Sequence, residues 1–290
     1  MFDGTYVAMV TDFKNGSLDL DGVRSLARKL IDGGVTGLVP AGCTGEAATL
    51  STEERVAMIK AVLDERGDNT AVKVIPGTGT NSTASSIELT QVAADLGADA
   101  AMLITPYYNK PTQGGLIKHF ETVASSVKIP LVLYNVPGRT GVNMLPETVT
   151  ELAKIENIVA VKEASGSVDQ VSRIIAGSDI TVLSGDDSLT LPMLSVGAKG
   201  VVSVVANVVP DTVSRMVSAF LEGRAEEARE IHLKILSLMH VLFIETNPGP
   251  VKAALQMLGH GTGEMRLPLV AISRQSADRV RDVLAQLALL

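Results

Sequence analysis

Lys162 stands at the end of the apolar run Ile-Val-Ala-Val at 158–161, with Glu-Ala-Ser-Gly after it. Burial disfavours the charged form of an amine and lowers its pKa by up to about 3–5 units. A neutral amine is a nucleophile, and its natural target is a ketone or aldehyde, with which it forms an imine. The competing reading is a lysine that lays its stem on apolar surface and keeps its ammonium in water, or that pairs with Glu163 or Asp186. Tyr134 precedes Asn135-Val136-Pro137-Gly138-Arg139-Thr140-Gly141. Its phenol either caps an apolar core or moves the protons that imine formation requires. Arg139, if it faces a cleft, is a bidentate clamp for a carboxylate; elsewhere it is a solvated loop charge.

Further polar residues fall at the ends of apolar runs: Thr44-Gly45-Glu46, Tyr107-Tyr108 and Asp186-Asp187. The stretch Gly42-Cys43-Thr44-Gly45-Glu46 lacks the Lys-Ser/Thr ending of a nucleotide loop, and Gly77-Thr78-Gly79-Thr80-Asn81 lacks the third glycine of a dinucleotide fingerprint. Backbone N–H groups with the Thr44 hydroxyl suit a small carboxylate instead.

For these residues to meet, the chain must bring distant strand ends together. Eight short β-branched runs recur, at 6, 37, 72, 100, 130, 158, 180 and 200, with helical patterns between them. Ser51-Thr52-Glu53-Glu54 fits a capping box, Pro146 opens a helix and Gly223 closes one. The runs are nearly all apolar and do not alternate, as expected of parallel strands covered by helices. Eight units in this length predict an α/β fold, a (β/α)8 TIM barrel over residues 1–224, with its site at the C-terminal ends of the strands. Residues 225–290 read as helix only, a C-terminal helical extension packed on the barrel.

The bulk properties exclude other classes. The 290 residues are 46% apolar and carry 25 basic and 32 acidic side chains, a net charge of −7. With no basic cluster, nucleic acid and anionic membrane are poor partners. The N-terminus shows no signal-peptide pattern, and no apolar run approaches the ~18 residues needed to span a bilayer. Cys43 is the single cysteine, which points to a reducing cytoplasm. The four histidines are scattered, so no metal is expected.

Taken together, Gly42-x-x-Gly45-Glu46, Tyr134-Asn135-x-Pro137 and the strand-six Lys162 resemble the pyruvate-dependent class I lyase superfamily over essentially the whole chain. Pro137-x-Arg139-Thr140-Gly141, the stretch from Thr105 to Pro111, and Ser184-Gly185-Asp186-Asp187 are similar to its dihydrodipicolinate synthase family; sialic acid lyases generally lack an arginine matching Arg139. The resemblance implies that Lys162 forms an imine with pyruvate and that Tyr134 transfers protons. Thr44 and the Val202 backbone would hold the pyruvate carboxylate, Gly185 would lie in the substrate site, and Arg139 would bind the carboxylate of aspartate 4-semialdehyde. It implies no metal or organic cofactor. It also implies that Tyr108 completes a proton relay in a neighbouring subunit, so the chain should form at least a dimer, commonly a tetramer built as a dimer of dimers.

Two departures from the family pattern carry expectations. Cys43 stands where a relay threonine is usual, and a thiol is the weaker donor, so slower turnover with unchanged pyruvate binding is expected. Thr52, Arg55 and Ser85 replace two histidines and a glutamate of lysine-inhibited relatives, although Asn81 is retained; lysine feedback should be weak or absent. Asp12, where proline is common, has no functional account in the sequence. The alternatives are another pyruvate aldolase of the superfamily acting on a sugar acid, a non-catalytic sensor of a small acid, and a flavin or nucleotide site. Arg139 and the paired tyrosines oppose the first, Lys162 with Tyr134 the second, and the lack of a phosphate motif the third.

Overall fold

The computed structural model describes residues 2–290. Eight parallel strands form the centre: β1 (Gly4–Ala8), β2 (Gly37–Val39), β3 (Lys73–Val74), β4 (Ala101–Ile104), β5 (Leu131–Asn135), β6 (Ile158–Glu163), β7 (Thr181–Ser184) and β8 (Gly200–Ser203). They pair in the order β3-β2-β1-β8-β7-β6-β5-β4. The ring is completed between β3 and β4, where Gly77 bridges Met102 in parallel. There Met102 N–H donates to Pro76 O and Thr78 N–H to Met102 O, both at 2.9 Å. A Cβ on Gly77 would lie 2.4 Å from Ala41 O, so only glycine lets the loop after β3 cross the loop after β2. The Gly77–Gly79 stretch thus seals a barrel seam, a packing use of the glycines.

Strands and helices begin and end for local reasons. In the helix Thr52–Arg66 the Ser51 hydroxyl accepts from Glu54 N–H while the Glu54 carboxylate accepts from Ser51 N–H, the reciprocal cap expected from the sequence. Pro146 opens Pro146–Leu152, and Gly223, at φ 85°, follows the end of Pro210–Leu221. Strand bounds differ from the apolar runs. β3 keeps only two residues of Val-Lys-Val-Ile-Pro-Gly-Thr, because Pro76 has no N–H for the ladder. β1 starts and ends earlier than its run, which continues into a small hairpin of Phe13–Lys14 and Ser17–Leu18.

The helices Ala225–Val241, Gly249–Met257 and Arg274–Gln286 form the extension. Ile235, Leu238, Val251, Leu255 and Leu284 belong to the same buried apolar cluster as Tyr6 and Val7 of β1, so the extension shares the barrel's core. Polar contacts strengthen the join. Asp12 is buried, and its Oδ1 accepts from Thr262 N–H (3.1 Å) and Oγ1 (3.3 Å). The unexplained aspartate therefore ties the loop before the last helix to the exit of the first strand.

Candidate active site

Successive residues of a strand face opposite sides of the sheet, and that alternation divides the polar residues of β5 and β6. Tyr134 is in register with Lys162, and Asn135 with Glu163. The second pair faces the helices: Glu163 accepts from Asn135 Nδ2 at 3.0 Å, from Gln170 Nε2 at 3.1 Å and from Ser165 N–H at 2.7 Å. Glu163 is thereby committed away from Lys162, and the ion-pair reading fails for it. Asp186 is engaged too, its Oδ1 accepting from Ser188 N–H and Oγ.

The first pair faces the barrel mouth. Lys162 is 6% exposed, and its Nζ lies 4.1 Å from the centroid of the Tyr134 ring. Burial lowers the Lys162 pKa to about 8; Cys43 and Asp187 oppose that fall and Arg139 adds to it. About one molecule in ten is then neutral at pH 7, against about one in three thousand at the ordinary value. Burial, followed by the neighbouring Cys43, pushes the Tyr134 phenol well above its usual range, which keeps it a proton donor.

Thr44 is buried in the loop after β2, and its Oγ1 accepts from Asn247 Nδ2 at 2.9 Å. The hydroxyl hydrogen is left for an incoming acceptor. Arg139, after β5, uses Nη2 to donate to Asn247 O at 3.2 Å, leaving other guanidinium N–H groups for a ligand. Two cavities, of about 330 and 410 Å³, share Cys43, Thr44, Tyr134, Arg139, Lys162 and Asn247 as walls. The first extends toward Thr49, Arg55 and Tyr107; the second toward Gly185, Ser188, His240 and Phe243. Gly185 forms a flat wall, since a Cβ there would lie 3.0 Å from Lys162 Cε.

The structure therefore gathers Lys162, Tyr134, Cys43, Thr44, Arg139 and Gly185 around one space. Val202 sits on β8 in register with Tyr6 and lines neither cavity; Val204 lines the second. Tyr108 is 89% exposed at φ 72° and also lines neither, whereas Tyr107 lines the first. Within this chain Tyr108 stands outside the site.

Two contributors escaped the sequence reading. Asn247 bridges Thr44 and Arg139 as described. Lys252, on the helix Gly249–Met257, is buried and donates to Glu46 Oε1 at 2.7 Å and to Thr11 O at 2.8 Å. Glu46 holds a left-handed φ of 52°, a backbone state that costs about 1–3 kcal/mol and persists only when its surroundings fix it. Lys252 is one such anchor, and Arg266 N–H, at 3.2 Å from Glu46 Oε2, is another. A signal was present: Val-Lys-Ala-Ala-Leu places a lysine in an apolar run, as Ile-Val-Ala-Val-Lys does.

Among the described residues no group of three or more His, Cys, Asp or Glu could hold a metal ion, and no helix is long and apolar enough to cross a membrane. A partly neutral amine at the C-terminal mouth of a (β/α)8 barrel, with a phenol at hand and two groups suited to carboxylates, makes this a lyase site for a keto acid.

Comparison with known proteins narrows the class. The chain belongs to the dihydrodipicolinate synthetase family, whose model matches residues 1–287. It is 53% identical over 292 aligned positions to the 4-hydroxy-tetrahydrodipicolinate synthase of Methanothrix thermoacetophila, covering 99% of this chain and 98% of that one. A crystal structure of a dihydrodipicolinate synthase superposes with a TM-score of 0.97 at 52% identity, covering all of both chains. The dihydrodipicolinate synthase of Cyanidioschyzon merolae, solved with lysine bound, also gives 0.97, at 42% identity over 100% of this chain and 99% of that one.

Proposed function

We propose that the protein condenses pyruvate with L-aspartate 4-semialdehyde to give 4-hydroxy-tetrahydrodipicolinate, a step toward diaminopimelate and lysine. The observation that carries this reading is the buried Lys162 amine, brought to about 8 and set against Tyr134 in the shared cavity wall. Relatives of about 50% identity bear the name of that activity.

Neutral Lys162 Nζ attacks the ketone carbon of pyruvate, the carbinolamine loses its oxygen as water, and a protonated imine remains. The pyruvate carboxylate takes the free hydrogen of Thr44 Oγ1. Loss of a proton from the methyl carbon gives the enamine, which attacks the aldehyde carbon of the semialdehyde while Arg139 holds its carboxylate. Tyr134 delivers and removes the protons of these steps. The amino group of the bound semialdehyde then attacks the imine carbon, closes the ring and expels Lys162. One water is released for each pair of substrates joined.

The assembly we propose is at least a dimer, built as a dimer of dimers, in which Tyr108 reaches the neighbouring subunit's relay; its exposure on a single chain supports this. The proposed compartment is the cytoplasm, in keeping with a lone, unpaired Cys43. Lysine feedback is weak or absent, because Arg55 is turned to Ala47 O and Gly77 O and Ser85 brings no carboxylate.

Coupled turnover of pyruvate with aspartate semialdehyde, set beside sialic acid and keto-deoxy sugar acids, tests the reading. The semialdehyde should be preferred and Lys162→Ala should be inactive. Preference for a sugar acid, or no reducible pyruvate adduct on Lys162, would overturn it.

A further inference from the structure

The proposed reaction leaves one part of its second substrate unattended. Aspartate semialdehyde is a zwitterion at neutral pH, and Arg139 answers only its carboxylate. An ammonium taken out of water without a counter-charge carries a large desolvation penalty. It would also lie in the company of two further cations, the Arg139 guanidinium and the protonated imine at Lys162.

The walls of the two cavities hold two carboxylates, Glu46 in the first and Asp186 in the second. Glu46 is committed, since Lys252 Nζ and Arg266 N–H occupy its oxygens. Asp186 is half-buried after β7, and Ser188, a second residue of the same wall, holds its Oδ1 through N–H at 3.2 Å and Oγ at 3.0 Å. Its Oδ2 takes no hydrogen bond from the chain and is left for a donor in the cavity. Asp186 also stands one residue from the reacting centre, because Gly185 packs flat against the Lys162 side chain, a Cβ there falling 3.0 Å from Lys162 Cε. Arg139 lines the same cavity. One fixed cation and one fixed anion thus share the space with the imine, the arrangement that a zwitterion requires. With both substrates in place the charges cancel, two substrate carboxylates and Asp186 against the imine, Arg139 and the ammonium.

We propose that Asp186 binds the ammonium group of the semialdehyde and so makes the second subsite selective for an aldehyde that is also an α-amino acid. With Arg139 on the carboxylate, it orients the amino nitrogen that attacks the imine carbon when the ring closes. The inference rests on the proposed reaction and adds to it the residue that tells an amino acid from a plain oxo acid.

Succinate semialdehyde, which keeps the aldehyde and the carboxylate and lacks the amino group, is the probe. In Asp186→Asn the amide oxygen can still accept from Ser188, so the turn keeps its cap and only the charge is lost. The KM for aspartate semialdehyde should rise about 10–100-fold, the loss of one charge-assisted bond, while the Ki of succinate semialdehyde as a competitor stays within about threefold of wild type. Reductive trapping of pyruvate on Lys162 should be unchanged. A merely structural role would move both constants together, and that result, or an unchanged KM, overturns the proposal. If the Asn variant does not fold, Ser188→Ala carries the test: freeing Oδ1 should raise the KM a few-fold with Ki in place, and equal changes in both, or none, refute it. A wild type that turns over no aspartate semialdehyde would instead overturn the proposed reaction itself.

Discussion

Replacing Lys162 by methionine should make the protein more stable at neutral pH while abolishing its chemistry. In the folded state the amine titrates at about 8, against 10.5 for the free side chain, a gap of 2.5 units. At about 1.4 kcal/mol per unit, the protonated lysine costs the fold roughly 3 kcal/mol. The folded value lies below the unfolded one, so between these values the unfolded chain binds the extra proton and wild-type stability rises with pH. The cost is fully present below the folded value and gone above the unfolded one. Methionine has a similar length, no charge and a flexible thioether that fits beside the Tyr134 ring. Urea unfolding of both proteins at about pH 7 and about pH 10 should show the variant ahead by roughly 3 kcal/mol at the lower pH and by less than about 1 kcal/mol at the higher. Tyr6 and Tyr134, both raised by burial, favour the fold less at alkaline pH as the unfolded phenols ionise, but equally in both proteins, so the difference isolates Lys162. A variant less stable than wild type at neutral pH, or a gap that does not change with pH, would refute the claim that a desolvated ammonium is held there.

Other substitutions separate the remaining roles. Cys43→Thr should raise kcat by a few-fold with pyruvate KM unchanged, because a hydroxyl is the stronger donor beside Tyr134; steady-state kinetics showing equal or lower kcat would disprove the relay argument. Arg139→Ala should raise the KM for aspartate semialdehyde by about 10–100-fold, the loss of one charge-assisted pair, and leave pyruvate trapping nearly intact. Lysine titrated into the same assay should inhibit only at high concentration, and strong sub-millimolar inhibition would show that the Arg55 pocket binds it after all.

What the sequence revealed and concealed follows from the range of each signal. Strand and helix periodicity is local, so β5, β6 and the capped helix Thr52–Arg66 could be read directly, and β5 and β6 are neighbours in both sequence and sheet, which placed Tyr134 beside Lys162. The extent of β3 was lost because a single proline decides it. Asn247 carried no local mark, and Lys252 showed only as a lysine in an apolar run, for another reason: their partners Thr44 and Glu46 lie 203 and 206 positions away, and no local pattern encodes a contact across the whole chain. Asp187 was legible as a polar residue at a strand end, but its orientation into the β8 turn, away from solvent, depends on Ser203 and two backbone N–H groups that no motif marks. Asp12 was the reverse case, an oddity visible in the sequence whose partner, Thr262, became apparent only in three dimensions.

The bonds from Asn247 to Thr44 and from Lys252 to Glu46 bear on how the protein is born. Synthesis on the ribosome proceeds from the N-terminus, and domains tend to fold as their segments emerge. A growing chain that has released Lys162 and Tyr134 still lacks the two residues that hold the opposite wall of the pocket, along with the apolar faces of the last helices. The reactive amine is therefore not set in its working surroundings until nearly the last tenth of the polypeptide is made, and pyruvate in the surrounding medium meets a competent site only on a nearly finished molecule.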